Sequence, residues 1–253
     1  MHTPTVRTGL VFALLQLFFT LTWTVYVIFL PQLVVQSGLP KSAVIWILLL
    51  DQLVFVFADW AMGAKADRAA QVVGRLGPLI GLITLVSAIA FLLLPFAAPQ
   101  GSPLLLLALT LVWTVTSSAL RAPPLVLIGK YAAAGAKPWL SASWLFGLGV
   151  AGALAPYLTI QLRDMDPRLP FALSAIAVAV AAWGMAWAER HLASETPAAA
   201  PPPAKPLPVA AFLLVVVLVA LGFQVHFALN SAPLYLRHAT PAELGQLMPL
   251  FWV

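Results

Sequence analysis

Four ionisable residues of this chain lie inside long apolar stretches: Asp51, Asp59, Arg121 and His226. Within lipid such groups cost roughly 2.5 to 3.5 kcal/mol each at a helix centre, so each needs a partner, a watered cavity or a task. Asp51 follows Ser42 by nine residues, about 14 Å along a helix and near the middle of a bilayer. A carboxyl group there, exposed to one side and then the other, could load and release a proton. A structural hydrogen bond to a neighbouring helix is the competing reading. Arg121 lies about 13 Å before Lys130, between the depths of Asp59 and Asp51, so it can pair with either acid, snorkelling to the inner surface being the competing reading. Pro123 and Pro124 follow at once and free carbonyls in the preceding turn, a break tolerated only against protein or a cavity, which turns Arg121 inward. Asp51, Arg121 and Asp59 are therefore the candidates for proton coupling.

Polar side chains also recur at helical spacing. Gln16, Thr20, Trp23 and Thr24 form one stripe, with Tyr26 beside it, and Gly222, His226 and Asn230 form another. Facing stripes would line a central polar cavity, making Gln16, Thr20, Trp23, Tyr26, His226 and Asn230 the candidates for substrate contact. The same residues would also serve ordinary hydrogen bonding between helices.

The elements that must hold these groups are helices crossing a membrane. A spanning helix needs roughly 20 apolar residues. Such stretches fall at 8–34, 42–63, 77–98, 103–128, 139–161, 169–188 and 208–230. An eighth begins after residue 241 and reaches Val253, so the chain is expected to stop inside its eighth span. Hydrophobic residues make up 62% of the 253-residue chain and charged residues 8%, against about 25% charged in soluble domains. The first apolar run, from Gly9 to Leu30, is too long for a signal peptide and no small-residue cleavage site follows it. The fold class is thus an all-α integral membrane protein.

Orientation follows from the basic residues. Arg7, Lys65, Arg68, Arg75, Lys130, Lys137, Arg190 and Lys205 fall on one side, against Lys41, Arg163, Arg168 and Arg237 on the other. The positive-inside bias puts the N-terminus in the cytoplasm, and the net charge of +5 reflects orientation, not nucleic-acid binding. Small aliphatic and proline-rich composition fits a bacterial inner membrane.

Residues 189–207 carry three consecutive prolines, three consecutive alanines and further prolines, a composition that reads as a linker. Residues 1–188 would form one six-helix bundle, and residues 208–253 the start of a second. Pro31 and Pro40 recur as Pro233 and Pro241 at offsets of 202 and 201 residues, which suits two related halves. Thr240, Pro241 and Glu243 also have the order of a helix start: N-cap, first helical position and capping-box acid.

Enzyme chemistry lacks its usual signatures. No His-Glu-x-x-His pair and no Gly-x-Ser-x-Gly elbow occurs, and cysteine is absent. Of the histidines at 2, 191, 226 and 238 only His226 falls in a span, so no metal or cofactor is expected.

Between the second and third spans the chain reads Gly63-Ala-Lys-Ala-Asp67-Arg68, then five residues, then Gly74-Arg75. This resembles the cytoplasmic loop of major facilitator superfamily transporters, in which a glycine, an Asp-Arg pair and a Gly-Arg pair occupy the same place. The spacing departs from the family's: five residues separate Arg68 from Gly74 where it has one, and Leu76 replaces a final basic residue. The resemblance implies a twelve-span secondary transporter that moves a small solute by alternating access, proton-coupled, with Gly63, Asp67, Arg68, Gly74 and Arg75 as the switch loop. Gly63 would let the chain leave its helix and approach another closely. The resemblance places Arg121 where many members carry a fourth-span arginine linked to proton transfer, but Ala122-Pro123-Pro124 replaces the residues expected after it. Gly147, Gly149, Gly152 and Pro156 are similar to the glycine-proline pattern of proton antiporters, although Ala155 stands where a glycine is expected. Expected partners are a small-molecule substrate, membrane lipid and protons, with the full-length protein a monomer. A non-transporting membrane scaffold, a receptor or a remnant fragment is the alternative.

Overall fold

The structure is a computed structural model and describes residues 3–69, 76–194, 208–224, 237–240 and 242–243. Among them it is all helical, and six helical stretches are long and apolar enough to cross a membrane. The protein is a multi-pass membrane protein.

The first span is α1 (Thr3–Gln36). It ends where Gly38, at φ 89°, adopts a left-handed conformation open to glycine at little cost. The amides of Gly38 and Leu39 donate to Val35 and Val34 carbonyls, the double bond of a Schellman stop. The chain then turns into α2 (Ala43–Ala69). The third span is α3 (Leu76–Ala97). After a short 3₁₀ turn, Ser102 caps α4 (Pro103–Ala119), its hydroxyl accepting from the Leu105 amide at 3.3 Å with Pro103 in the first turn.

The fourth span is broken. Pro123 and Pro124 offer no N–H, so helix α4 stops at Ala119 and α5 (Ala122–Tyr131) restarts with Arg121 at its cap. The Arg121 amide turns back to the Ser118 carbonyl at 3.0 Å. The fifth and sixth spans are α6 (Lys137–Leu162) and α7 (Arg168–Ser194), and α8 (Val209–Gln224) follows.

Several boundaries differ from the sequence expectation. Helix α2 does not end at Gly63 but continues through Asp67 and Arg68 to Ala69, carried by the helix-forming Ala64, Ala66 and Ala69. Nothing lies within 4 Å of the place a Gly63 β-carbon would take, so that glycine allows no close approach. Likewise α7 runs past residue 188 to Ser194, so Glu189 to Ser194 are helix rather than linker. Of the seventh apolar stretch the described residues form α8, in which every described side chain is exposed, while its remainder to residue 230 and the eighth stretch beyond residue 243 lie outside the described residues. Thr240 and Glu243 form the expected capping box: the Thr240 amide and hydroxyl donate to the Glu243 carboxylate at 2.7 and 2.8 Å.

Helix pairing has an internal symmetry. Helix α1 packs most extensively on α6, α3 on α7 and on α4, α1 on α7, and α2 on α4 and α5. Exchanging the first three spans for the last three carries the α1–α6 contact onto that of α2 with the fourth span, and the α1–α7 contact onto α3–α4. The α3–α7 contact maps onto itself. Where α1 crosses α6 the backbones nearly touch, for a β-carbon on Gly147 would lie 2.1 Å from the Ala13 carbonyl oxygen.

Outward faces are apolar. Along α2, Trp46, Leu49, Leu53, Val56 and Trp60 are exposed, while Asp51 and Met62 are buried on the opposite side. Three threonines are satisfied within their own helices: Thr22, Thr24 and Thr84 donate to the carbonyls four residues back. Two separate apolar clusters form the core. One, around Phe29, Leu33, Leu94 and Phe171, lies toward the α1–α2 turn; the other, around Phe12, Leu127, Trp144 and Met185, lies toward the opposite end.

Candidate functional site

Between those two clusters lies a cavity of about 240 Å³, lined by residues of all six spans. Its walls carry Gln16, Thr20 and Trp23 from α1, Gln52 and Phe55 from α2, Ser87 and Phe91 from α3, and Trp113 and Ser117 from α4. Leu148 of α6 and Ala175 and Val178 of α7 close the far side, and Arg121 enters at the break in the fourth span. It is the one charged residue among those lining the cavity.

Arg121 is held from three directions. Its Nη2 lies 3.1 Å from Asp59 Oδ2 and donates to Ser118 Oγ at 3.2 Å, and its guanidinium sits over the Phe55 ring at 4.2 Å. The Ser118 hydroxyl in turn donates to Asp59 Oδ1 and contacts the Phe55 carbonyl oxygen at 3.4 Å. Leu120 and Arg121 keep right-handed helical dihedrals through the break, so Arg121, with Ser117, stays on the cavity side. Its Nε is buried and finds no partner, and the same is true of Gln16 Oε1. The Gln16 amide nitrogen donates along the helix to Thr20 at 3.3 Å.

Asp51 is elsewhere. Its side chain does not line the cavity and is 1% exposed. The Tyr26 hydroxyl donates to Oδ2 at 2.9 Å and the Thr114 hydroxyl to Oδ1 at 2.7 Å, so both carboxylate oxygens are engaged. An aromatic wall stands between this carboxylate and the cavity: Tyr26 packs on Trp113 at 4.5 Å and on Trp23 at 5.5 Å between ring centroids. Trp23 and Trp113 are themselves stacked at 6.2 Å with 14° between planes.

The sequence-derived candidates therefore separate into groups. Gln16, Thr20, Trp23 and Arg121 meet at the cavity; Asp59 backs Arg121; Tyr26, expected to contact substrate, turns instead to Asp51. Of the two acids considered for Arg121, the ion pair is with Asp59. Gly63, Asp67 and Arg68 lie along α2, with the latter two described only in backbone. Gly74, Arg75, His226 and Asn230 lie outside the described residues. The sequence reading passed over Gln52, Phe55, Trp113, Thr114, Ser117 and Ser118. A signal existed in the fourth span, where Thr114, Ser117, Ser118 and Arg121 share one helical face.

Among the described residues no cluster of three or more metal-ligating side chains occurs. Scans of protein-family models, of curated proteins and of solved structures each find no match.

Proposed function

We propose that this protein is a secondary active transporter of the major facilitator type, moving a small solute across a membrane by alternating access. The observation that carries the reading is the mid-depth cavity, bounded at both ends by separate apolar clusters and fed by side chains from every described span. A site that lies between two apolar clusters can be exposed to either side by parting one cluster while the other holds.

Helix pairing supports the same reading. Contacts that survive exchange of spans one to three with spans four to six are those of an inverted repeat, the construction of transporter half-domains. The broken fourth span with a functional group at the break is a further transporter habit, since irregular backbone survives in a membrane only against protein or water. Asp51 is the proton-coupling group and Arg121 with Asp59 is the pair that opens and closes with the cycle. The N-terminus is cytoplasmic, in a bacterial inner membrane, following the distribution of basic residues.

Counterflow tests the proposal. Liposomes carrying the protein are loaded in turn with unlabelled sugars, amino acids, amines or organic acids, then diluted into a trace of the same labelled compound. A transporter gives a transient overshoot of label for one class over protein-free liposomes. Flat traces for every class, from protein that remains folded, would contradict it.

A further inference from the structure

Resting on the transport reading of the cavity, we propose that its substrate is a small organic anion with a flat apolar body, an aromatic monocarboxylate in chemical class. Charge comes first. Arg121 is the one charged lining residue, and the two nearby acids are withdrawn: Asp51 behind the Tyr26–Trp113 wall, Asp59 behind Arg121 itself. A cation entering the cavity would meet a guanidinium with neither carboxylate facing it.

The geometry of that guanidinium adds direction. A single nitrogen, Nη2, makes both the Asp59 and the Ser118 contacts, which leaves Nε and Nη1 of the five-donor fork as its unused donors. Stacking on Phe55 fixes the plane, and Nε is buried without a partner. A carboxylate oxygen is an acceptor that a donor left free on the guanidinium can take, forming a charge-assisted bond. Across the cavity, Gln16 Oε1 is a second buried atom without a partner, an acceptor suited to a hydroxyl or N–H on the substrate.

Size and surface define the body. The volume of about 240 Å³ within this bundle holds a solute, or the part of one that enters the bundle, on the order of ten heavy atoms. Trp23 and Trp113, at 6.2 Å and 14°, are too close for a ring to enter between them. Trp113 is buried within the wall, and the partly buried Trp23 is the aromatic surface left to a planar ring.

Equilibrium dialysis of the 253-residue chain in lipid nanodiscs tests this with three compounds of one shape: labelled benzoate, neutral benzamide and cationic benzamidine. Benzoate is expected to bind saturably, benzamide at least about tenfold more weakly, equivalent to about 1.4 kcal/mol, and benzamidine not at all. Asp59→Asn frees Arg121 and should tighten benzoate about threefold. The charge-neutral double variant Arg121→Gln/Asp59→Asn should lose the preference for benzoate over benzamide. No saturable benzoate binding, equal binding of the three compounds, or an unchanged preference in the double variant would overturn the anion assignment. Binding is read without flux, so a failed preference beside a positive counterflow overturns the anion assignment alone, and bound benzoate beside flat counterflow overturns only the transport reading.

Discussion

The Tyr26 hydroxyl donates to the Asp51 carboxylate at 2.9 Å across 25 residues of sequence, tying α1 to α2 at the point where the aromatic wall meets the cavity. With Thr114 on the other oxygen, three helices share one buried acid, and no cation in the described structure pairs with it. Uptake of a proton by this acid when the wall parts is the role proposed for it.

Asp51→Asn keeps the shape and removes the titration. Solute accumulation driven by a proton gradient should be abolished, while downhill exchange of the same solute persists. Uptake in proteoliposomes with and without an imposed pH gradient checks this, and unchanged accumulation removes Asp51 from coupling. Tyr26→Phe should lower stability by about 1 kcal/mol through the lost hydrogen bond, read from thermal unfolding in nanodiscs.

The Arg121–Asp59 pair should be energetically coupled, but modestly. Both side chains are partly exposed, 39% and 42%, so the gain from charge attraction is reduced. A double-mutant cycle of Arg121→Gln and Asp59→Asn, read by thermal unfolding, is expected to give a coupling of about 1 kcal/mol. Additive effects would mean that the pair contributes nothing to holding α2 against the fourth span.

Close packing of α1 on α6 depends on Gly147. A methyl group there meets the Ala13 carbonyl oxygen at 2.1 Å, and backbone cannot move aside as a flexible side chain can. Gly147→Ala should destabilise by about 1 to 3 kcal/mol and Gly147→Val by more. Gly63→Ala, in open space, serves as the control and should be neutral or slightly stabilising. Comparable melting temperatures for the Gly147 and Gly63 variants would contradict this packing.

What the sequence made legible was the first six spans, because apolar runs above roughly 20 residues have few other uses. The break at Pro123 and Pro124 was legible for a chemical reason, two consecutive residues without an N–H. Helix ends were less so: the alanines after Gly63 and before Ser194 carry helices beyond the apolar runs that define the spans. Partner choice was legible only in part. Depth along a helix placed Arg121 between two acids but could not say which one faces it, since rotation of each helix is set by its neighbours. Tyr26 and Trp23 sit three residues apart on α1, yet one turns to Asp51 and the other to the cavity. Thr114 and Asp51 are 63 residues apart, and no spacing rule joins them.

Accessibility of the cavity from the two membrane faces tests the central claim most directly. The chain has no cysteine, so Thr20→Cys, in the cavity wall, would be the sole thiol. A membrane-impermeant maleimide is applied to right-side-out and to inside-out vesicles. Alternating access predicts labelling from both faces, with the ratio of the two rates shifting when benzoate is added. Labelling confined to one face, unchanged by solute, would contradict it and describe a static cavity in a membrane scaffold.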